Sequence, residues 1–285
     1  MAEIPCRKEA LPLQYRKILD LHTHTDNSYD GNHSTMYMCE CAARAGLRGI
    51  AFTDHVEIDI FEQGEYNRWA RQSYFEIMKA RAAFMGKLMI FAGVELGEAT
   101  YDIPVAEKFL NARRYDFVIG SIHNLPGEED FCFLDVDNTS DEELQEILRA
   151  YFEEERKLAE WGKVDTIGHL TYPLRYICGE HGRKIDLRDY NSEIEAVLKA
   201  IIHSSIALEI NTSGLFQQLQ NTMPPEEIVS QYRHLGGEMI TIGSDSHYGE
   251  HLGRGICTGM EMAERCGFHE LTIFENREPI LIPME

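Results

Sequence analysis

The sequence predicts an α/β fold in which seven strand–helix units form a barrel. Short apolar segments alternate with amphipathic helical patterns along the 285 residues, without an internal repeat or a low-complexity tract. Alternating strands and helices imply parallel pairing through right-handed crossovers, which gives a doubly wound sheet or a barrel. Seven units favour the barrel, and the length of the chain suits one. We therefore expect residues 1–285 to form a single domain.

The candidate strands are short apolar runs, and the segments between them carry apolar residues at helical spacing. We predict strands at residues 18–21, 49–53, 88–94, 117–121, 166–168, 207–210 and 239–243. We predict helices at residues 34–45, 67–85, 105–112, 141–161, 192–203 and 225–235. Ser140 and Glu143 have the spacing of a capping box at the start of the fourth helix. Gly46 and Gly236 follow helical patterns and suit the left-handed residue that ends a helix.

The composition excludes several classes of partner. No apolar run is long enough to span a bilayer, and the first residues lack the basic-then-apolar pattern of a signal peptide. The formal net charge of −21 repels phosphate backbones, which argues against long nucleic acids. The seven cysteines, Cys6 among them, form no CxxC pair and fit free thiols in a reducing compartment. We expect a cytoplasmic protein without a membrane partner.

Side chains that bind metals follow every predicted strand, at the point where the strand ends. In chain order they are His22 and His24, Asp54 and His55, Glu95, His123, His169, Glu209 and Asn211, and Asp245 and His247. The carboxyl ends of parallel barrel strands converge on one face, where active sites are built. A single histidine in such a place is more often a hydrogen-bonded structural residue. Seven strand ends that all carry such residues indicate a metal site instead.

The residue types narrow the choice of metal and of chemistry. Imidazoles mixed with carboxylates suit zinc, iron or manganese, and the absence of cysteine argues against a structural zinc site. His22 and His24 flank one residue, so both side chains lie on the same side of an extended segment. These donors are too many for one tetrahedral ion, which indicates two or three divalent ions. Clustered ions activate water and stabilise phosphoryl oxygens, so we expect hydrolysis of a phosphate ester.

These motifs, in this order, resemble the polymerase and histidinol phosphatase (PHP) family, from Asp20 to about Gly255. Residues 208–214 and 234–237 look most like the stand-alone histidinol-phosphate phosphatases. The resemblance implies a distorted (βα)7 barrel and hydrolysis of L-histidinol phosphate in histidine biosynthesis, through a metal-bound hydroxide held by Glu95 and Asp245. A nucleotide or another small phosphate ester is the alternative substrate, and a non-enzymatic metal-binding module is the alternative class. Many relatives carry an arginine where this chain has Phe216, which leaves the substrate open.

The resemblance also implies which residues bind metal. The ligands would be His22, His24 and Asp245 for one ion, Glu95 as a bridge, His123 and His169 for the second ion, and His55, His247 and a loop residue for the third. The loop residue is Asp30 or His33, and residues 28–31 are similar to the family's Ser-x-Asp-Gly pattern, which favours Asp30. Asp54 is expected to orient a neighbouring ligand.

Recognition of a small phosphorylated substrate should require an arginine near the metals, because the guanidinium fork matches phosphate oxygens. Arg175 follows His169 in a segment where the resembling phosphatases also carry a basic residue, and it is the leading candidate. The alternatives on adjacent loops are Arg183, Arg254, His181 and His251. The sequence leaves open whether the chain forms a homo-oligomer.

Overall fold

A computed structural model describes residues 18–284 and shows a nearly closed barrel of parallel strands. The strands are β1 Leu19–Thr23, β2 Gly49–Phe52, β3 His55–Glu57, β4 Met89–Gly97, β5 Phe117–Ser121, β6 Thr166–Ile167, β7 Ala207–Asn211 and β8 Ile240–Gly243. Seven of them follow one another in the order β1-β2-β4-β5-β6-β7-β8, and the short β3 pairs with β4 off this path. The predicted seven-stranded barrel is confirmed.

The barrel closes between the segments that follow β1 and β8. Asp245 N donates to the carbonyl of His22 at 2.9 Å, and His24 N donates to the carbonyl of Ser246 at 2.9 Å. Both bonds lie at the C-terminal ends of the two strands. The seam of the barrel is therefore formed by the residues that the sequence singles out as metal ligands.

Helices alternate with the strands, close to the predicted bounds. They are α1 Thr35–Ala45, α2 Tyr66–Ala83, α3 Ile103–Asn111, α4 Asp141–Trp161, α5 Asn191–His203, α6 Glu226–His234 and α7 Ile256–Arg265. The capping box of α4 is present, with Ser140 and Glu143 bonded reciprocally. Gly46 ends α1 with a φ of 82°, in the left-handed region.

Two elements after β8 were not predicted. One is α7, whose interior Gly259 lowers helix propensity but lies where a Cβ would approach Thr212 Cγ2 to 3.0 Å. The other is an antiparallel hairpin of β9 Glu270–Glu275 and β10 Glu278–Pro283. Its Phe274 stacks on Phe117, the first residue of β5, with ring centroids 5.4 Å apart. The hairpin therefore covers the N-terminal end of the barrel, opposite the candidate site.

None of the helices between residues 18 and 284 combines the length and the apolar content that a bilayer crossing needs. Six cysteines within those residues are free thiols: Cys39, Cys41, Cys132, Cys178, Cys257 and Cys266. Cys6 and the first residues, on which the signal-peptide expectation depends, lie outside the described residues.

Candidate metal centre

The nine predicted metal ligands meet at the C-terminal end of the barrel. They are His22, His24, Asp30, His55, Glu95, His123, His169, Asp245 and His247. Six of these residues are buried, Asp245 and His247 are partly exposed, and Asp30 is exposed. The base of the cluster is therefore buried inside the barrel, and its rim faces solvent.

Glu95, near the C-terminal end of β4, lies at the centre of the cluster. Its Oε2 atom is 3.1 Å from His22 Nε2, 3.4 Å from His24 Nε2 and 3.2 Å from His55 Nδ1. Burial by itself raises the pKa of Glu95, but the imidazoles of His22 and His55 outweigh burial and hold it well below its usual range. This carboxylate is therefore ionised.

The second oxygen of Glu95 faces a different pair of histidines. Oε1 lies 2.7 Å from His169 Nε2 and 3.3 Å from His123 Nε2, and it also accepts a hydrogen bond from Ser121 Oγ at 2.7 Å. One carboxylate thus separates two groups of imidazoles, with one oxygen directed at each group. This is the geometry that a bridging ligand requires.

Asp245 faces the first group of histidines from the opposite side of the barrel seam. Its Oδ1 lies 3.3 Å from His24 Nε2 and 3.7 Å from His22 Nε2. Its Oδ2 lies 3.0 Å from Arg175 Nη2. Burial alone raises the pKa of Asp245, but His22, His24 and Arg175 hold it well below its usual range.

A third group contains His24, His55 and His247, which each offer a nitrogen within 4.8 Å of the others. Asp30 Oδ2 lies 2.9 Å from His247 Nε2 and 3.8 Å from His55 Nε2. His33 points elsewhere, because its Nδ1 accepts a hydrogen bond from Gly249 N at 3.1 Å. Of the two loop residues that the sequence left open, Asp30 is the one at the cluster.

Several of these buried nitrogens lie near a carboxylate but form no hydrogen bond of acceptable geometry, although buried polar atoms are normally paired. They include His24 Nε2, His55 Nδ1 and His247 Nε2. Burial, together with the neighbouring His247 and His55, lowers the pKa of His24 to about 3, so this imidazole is neutral, the form that binds a metal. Unpaired imidazole nitrogens beside ionised carboxylates fit divalent metal ions.

Glu209, in β7, holds two of these histidines in place. Its Oε1 lies 2.7 Å from His22 Nδ1, and its Oε2 accepts from the backbone N of His169 at 2.7 Å. Gly243 leaves the space for this contact, since a Cβ there would come within 2.2 Å of His22 Cβ and 2.8 Å of Glu209 Oε1. The sequence marked Glu209 as a strand-end residue but did not assign it this role.

Asp54 has the orienting position that the sequence predicted for it. It accepts hydrogen bonds from Thr25 N at 2.6 Å, from Ser73 Oγ at 2.5 Å and from Ser28 Oγ at 3.2 Å. The Ser28 hydroxyl in turn accepts from the backbone N of His55 at 3.0 Å and lies 3.2 Å from His24 Nδ1. Asp54 therefore acts on these histidines through Ser28.

Two further buried carboxylates were missed by the sequence analysis. Glu57, in the unpredicted β3, lies 3.0 Å from His55 Nδ1 and 3.3 Å from His123 Nδ1. Glu98 accepts from the backbone N of His123 at 2.6 Å. A Cβ at Gly97 would come within 1.7 Å of Glu57 Oε2. The sequence around Gly97 and Glu98 does not indicate that these carboxylates lie at the cluster. Their position depends on the pairing of β3 with β4.

A cavity of about 410 Å³ opens beside three of the predicted metal ligands, Asp30, Asp245 and His247. Arg175, Arg254 and His251 line it, together with Phe216. The Arg175 guanidinium bonds to Asp245 and to Ser213 Oγ at 2.8 Å, while its Nε atom is buried without a partner.

The other two basic candidates lie outside this cavity. Arg183 donates to the carbonyl of Val136 at 2.9 Å and pairs with Asp141 at the start of α4. His181 lies 2.9 Å from Asp137. Both residues bind to residues 136–141, the segment that leads into α4, and neither lines the cavity.

Comparisons with known proteins agree with this geometry. The family model described as "PHP domain" matches residues 20–213. A probable histidinol-phosphatase of Thermotoga maritima is 31% identical over 257 residues, which cover 90% of this chain and 95% of that protein. The histidinol-phosphatase of Lactococcus lactis is 28% identical over 261 residues, with 90% and 94% covered. The crystal structure of a Lactococcus lactis histidinol phosphate phosphatase complexed with zinc, L-histidinol and phosphate superposes with a TM-score of 0.77 at 25% identity, covering 93% of this chain and 99% of that one.

Proposed function

Because the chain belongs to the PHP domain family, we propose that it is a metal-dependent phosphomonoesterase that converts L-histidinol phosphate to L-histidinol and phosphate. The relatives named as histidinol-phosphatases match it over about their whole length. The structurally similar phosphatase was crystallised with zinc, L-histidinol and phosphate. The single observation that carries the proposal is the Glu95 carboxylate, whose two oxygens face separate groups of buried imidazoles.

The residues that would hold two or three ions of zinc, iron or manganese are those predicted from the sequence. We propose His22, His24 and Asp245 for one ion, Glu95 as the bridge, His123 and His169 for a second, and His55, His247 and Asp30 for a third. Bound divalent ions supply activation of water and neutralisation of charge on the phosphoryl oxygens.

The chain's own residues would place the reactants around this centre. Glu95 and Asp245 are proposed to accept hydrogen bonds from the attacking water and so orient its oxygen toward phosphorus. That oxygen forms the new bond to phosphorus as the ester bond breaks. The proton that the attacking water gives up is taken by the departing oxygen, which leaves as the hydroxyl of L-histidinol. Arg175 has one buried N–H without a partner, which is proposed to donate to a phosphate oxygen.

Steady-state assays of phosphate release test the proposed substrate. The purified protein, loaded with zinc or manganese, should have a higher kcat/KM for L-histidinol phosphate than for nucleoside monophosphates or p-nitrophenyl phosphate. A clear preference for a nucleotide would assign the enzyme to the alternative substrate class. A protein that retains no metal and releases no phosphate after metal addition would be a non-enzymatic module.

The composition of the chain supports a proposal about its cellular compartment and its binding partner. We propose that the enzyme acts in the cytoplasm, in histidine biosynthesis, since the six described cysteines are free thiols. Its net charge of −21 opposes binding of long nucleic acids but not of a small phosphate ester held by local cations. Its partner is a small phosphorylated molecule.

A further inference from the structure

Arg254 and Phe216 form a stacked pair at the mouth of the cavity beside the metal centre. The Arg254 guanidinium carbon lies 3.8 Å from the centroid of the Phe216 ring. Both residues line the cavity that also contains Arg175 and Asp245. Phe216 is 46% exposed, so its ring is available as a platform and is not part of the core.

Arg254 differs from Arg175 in that its guanidinium has no acidic partner in the part of the chain that the structure describes. Arg175 is committed to Asp245 and Ser213 through its Nη2 atom. Among residues 18–284, no carboxylate forms an ion pair with Arg254, and no acceptor hydrogen-bonds to its guanidinium. In a chain with 48 acidic and 27 basic residues, a guanidinium that faces a cavity and keeps all its N–H groups free is placed to bind an anion.

The backbone around Arg254 is fixed so that this stacking is maintained. Thr212 Oγ1 donates to the carbonyl of Arg254 at 2.8 Å, and Arg254 N donates to the carbonyl of His251 at 3.0 Å. Gly255 has a φ of 80°, and a Cβ there would come within 2.9 Å of Phe216 Cε2 and of Thr212 Cβ. Only glycine allows the loop to approach the ring this closely.

We propose that Phe216 is a positioning residue that holds the Arg254 guanidinium over the cavity, so that Arg254 and Arg175 bind the substrate phosphate from two sides. This inference rests on the proposed function for the identity of the substrate, but the anion chemistry belongs to the pair itself. A cation–π contact fixes the direction of a flexible side chain without neutralising its charge. The free guanidinium can then give two parallel hydrogen bonds to phosphate oxygens.

The test uses the full-length, zinc-loaded protein and inorganic phosphate as the probe, measured both by calorimetric titration and as a competitive inhibitor. Arg254→Met keeps the length of the side chain and removes its charge, so we expect phosphate affinity to fall by about tenfold or more, with a matching rise in KM. Arg254→Lys should recover part of that loss. Phe216→Leu should weaken phosphate binding by about threefold, and Phe216→Trp should restore it.

A double-mutant cycle separates positioning from a general loss of structure. If Phe216 acts through Arg254, Phe216→Leu has no further effect on phosphate affinity in the Arg254→Met background. Arg233→Met is the matched control, since Arg233 also stacks on a phenylalanine, Phe268, at 5.1 Å but does not line the cavity. That control should bind phosphate like the wild type.

Three outcomes would overturn the inference: equal phosphate affinity in wild type and Arg254→Met, equal effects of Phe216→Leu in both backgrounds, or no measurable phosphate binding by the zinc-loaded wild type. The proposed function fails separately. If the wild type does not hydrolyse L-histidinol phosphate but Arg254→Met still weakens phosphate binding, the substrate assignment is wrong and the Arg254–Phe216 pair still binds phosphate.

Discussion

Replacing Glu209 by glutamine turns one of its two carboxylate oxygens into an NH2 group, and each of these oxygens accepts a hydrogen bond at the cluster. Oε1 accepts from His22 Nδ1 at 2.7 Å, and Oε2 accepts from His169 N at 2.7 Å. Glutamine keeps one acceptor and turns the other position into an NH2 group, so one of the two bonds becomes a contact between two donors. A buried donor left unsatisfied costs about 1–3 kcal/mol of folding stability. Loss of a carboxylate that orients a metal-binding histidine lowers metal affinity or activity by about 10–100-fold.

Metal retention is the assay that reports this effect directly. Glu209→Gln should lose metal at lower chelator concentrations than the wild type during dialysis, as measured by elemental analysis, and added zinc should restore much of its turnover. Glu155→Gln is the matched control, because Glu155 is equally buried in α4 but has no hydrogen-bond partner for either oxygen. The reasoning about Glu209 is refuted if its glutamine variant holds metal and turns over substrate as the control does.

Three other predictions follow from the same geometry. Asp30→Asn should reduce the number of ions retained per chain, whereas His33→Ala should leave it unchanged, because Asp30 faces His247 and His33 bonds to Gly249; equal metal content in both variants would contradict this. Burial raises the pKa of Glu155 from 4.5 to about 8, so its contribution to stability is complete below pH 4.5 and is lost as pH rises toward and through 8, at about 1.4 kcal/mol per pKa unit. The free energy of unfolding of Glu155→Gln, measured with denaturant, should lack this decline. Parallel pH profiles of the wild type and the variant would contradict the prediction. Chelation should abolish phosphatase activity and lower Tm, since metals bind the folded chain preferentially; an unchanged Tm with full metal loss would count against a cluster formed by folding.

The elements that were predictable from the sequence are those whose signal is local. The bounds of α4 follow from the Ser140–Glu143 capping box and an uninterrupted apolar period. The convergence of the histidines follows from parallel strands, whose carboxyl ends share one face. Neither inference needs knowledge of which residue pairs with which across the barrel.

The features that escaped prediction depend on such cross-barrel pairing. Glu57 reaches His123 only because β3 lies alongside β4, and three residues of strand carry too short a pattern to be recognised. Glu209 reaches His22 across 187 positions of sequence. Arg183 was a weaker alternative to Arg175 in the sequence analysis, and in the structure it pairs with Asp141 instead of lining the cavity. Sequence separation, and not residue type, limited what could be predicted at this site.

If Arg175 binds phosphate and Asp245 binds a metal ion, as proposed, the bond between these two residues couples phosphate binding to metal binding. Asp245 directs one oxygen to Arg175 and the other to His24, so a phosphate that shares the Arg175 guanidinium weakens the pull of Arg175 on this carboxylate and leaves more of its charge for a cation. By thermodynamic reciprocity, any factor by which phosphate strengthens metal affinity is also the factor by which metal strengthens phosphate affinity. We therefore expect a chain that has just released phosphate to hold its metals less tightly than a chain with phosphate bound.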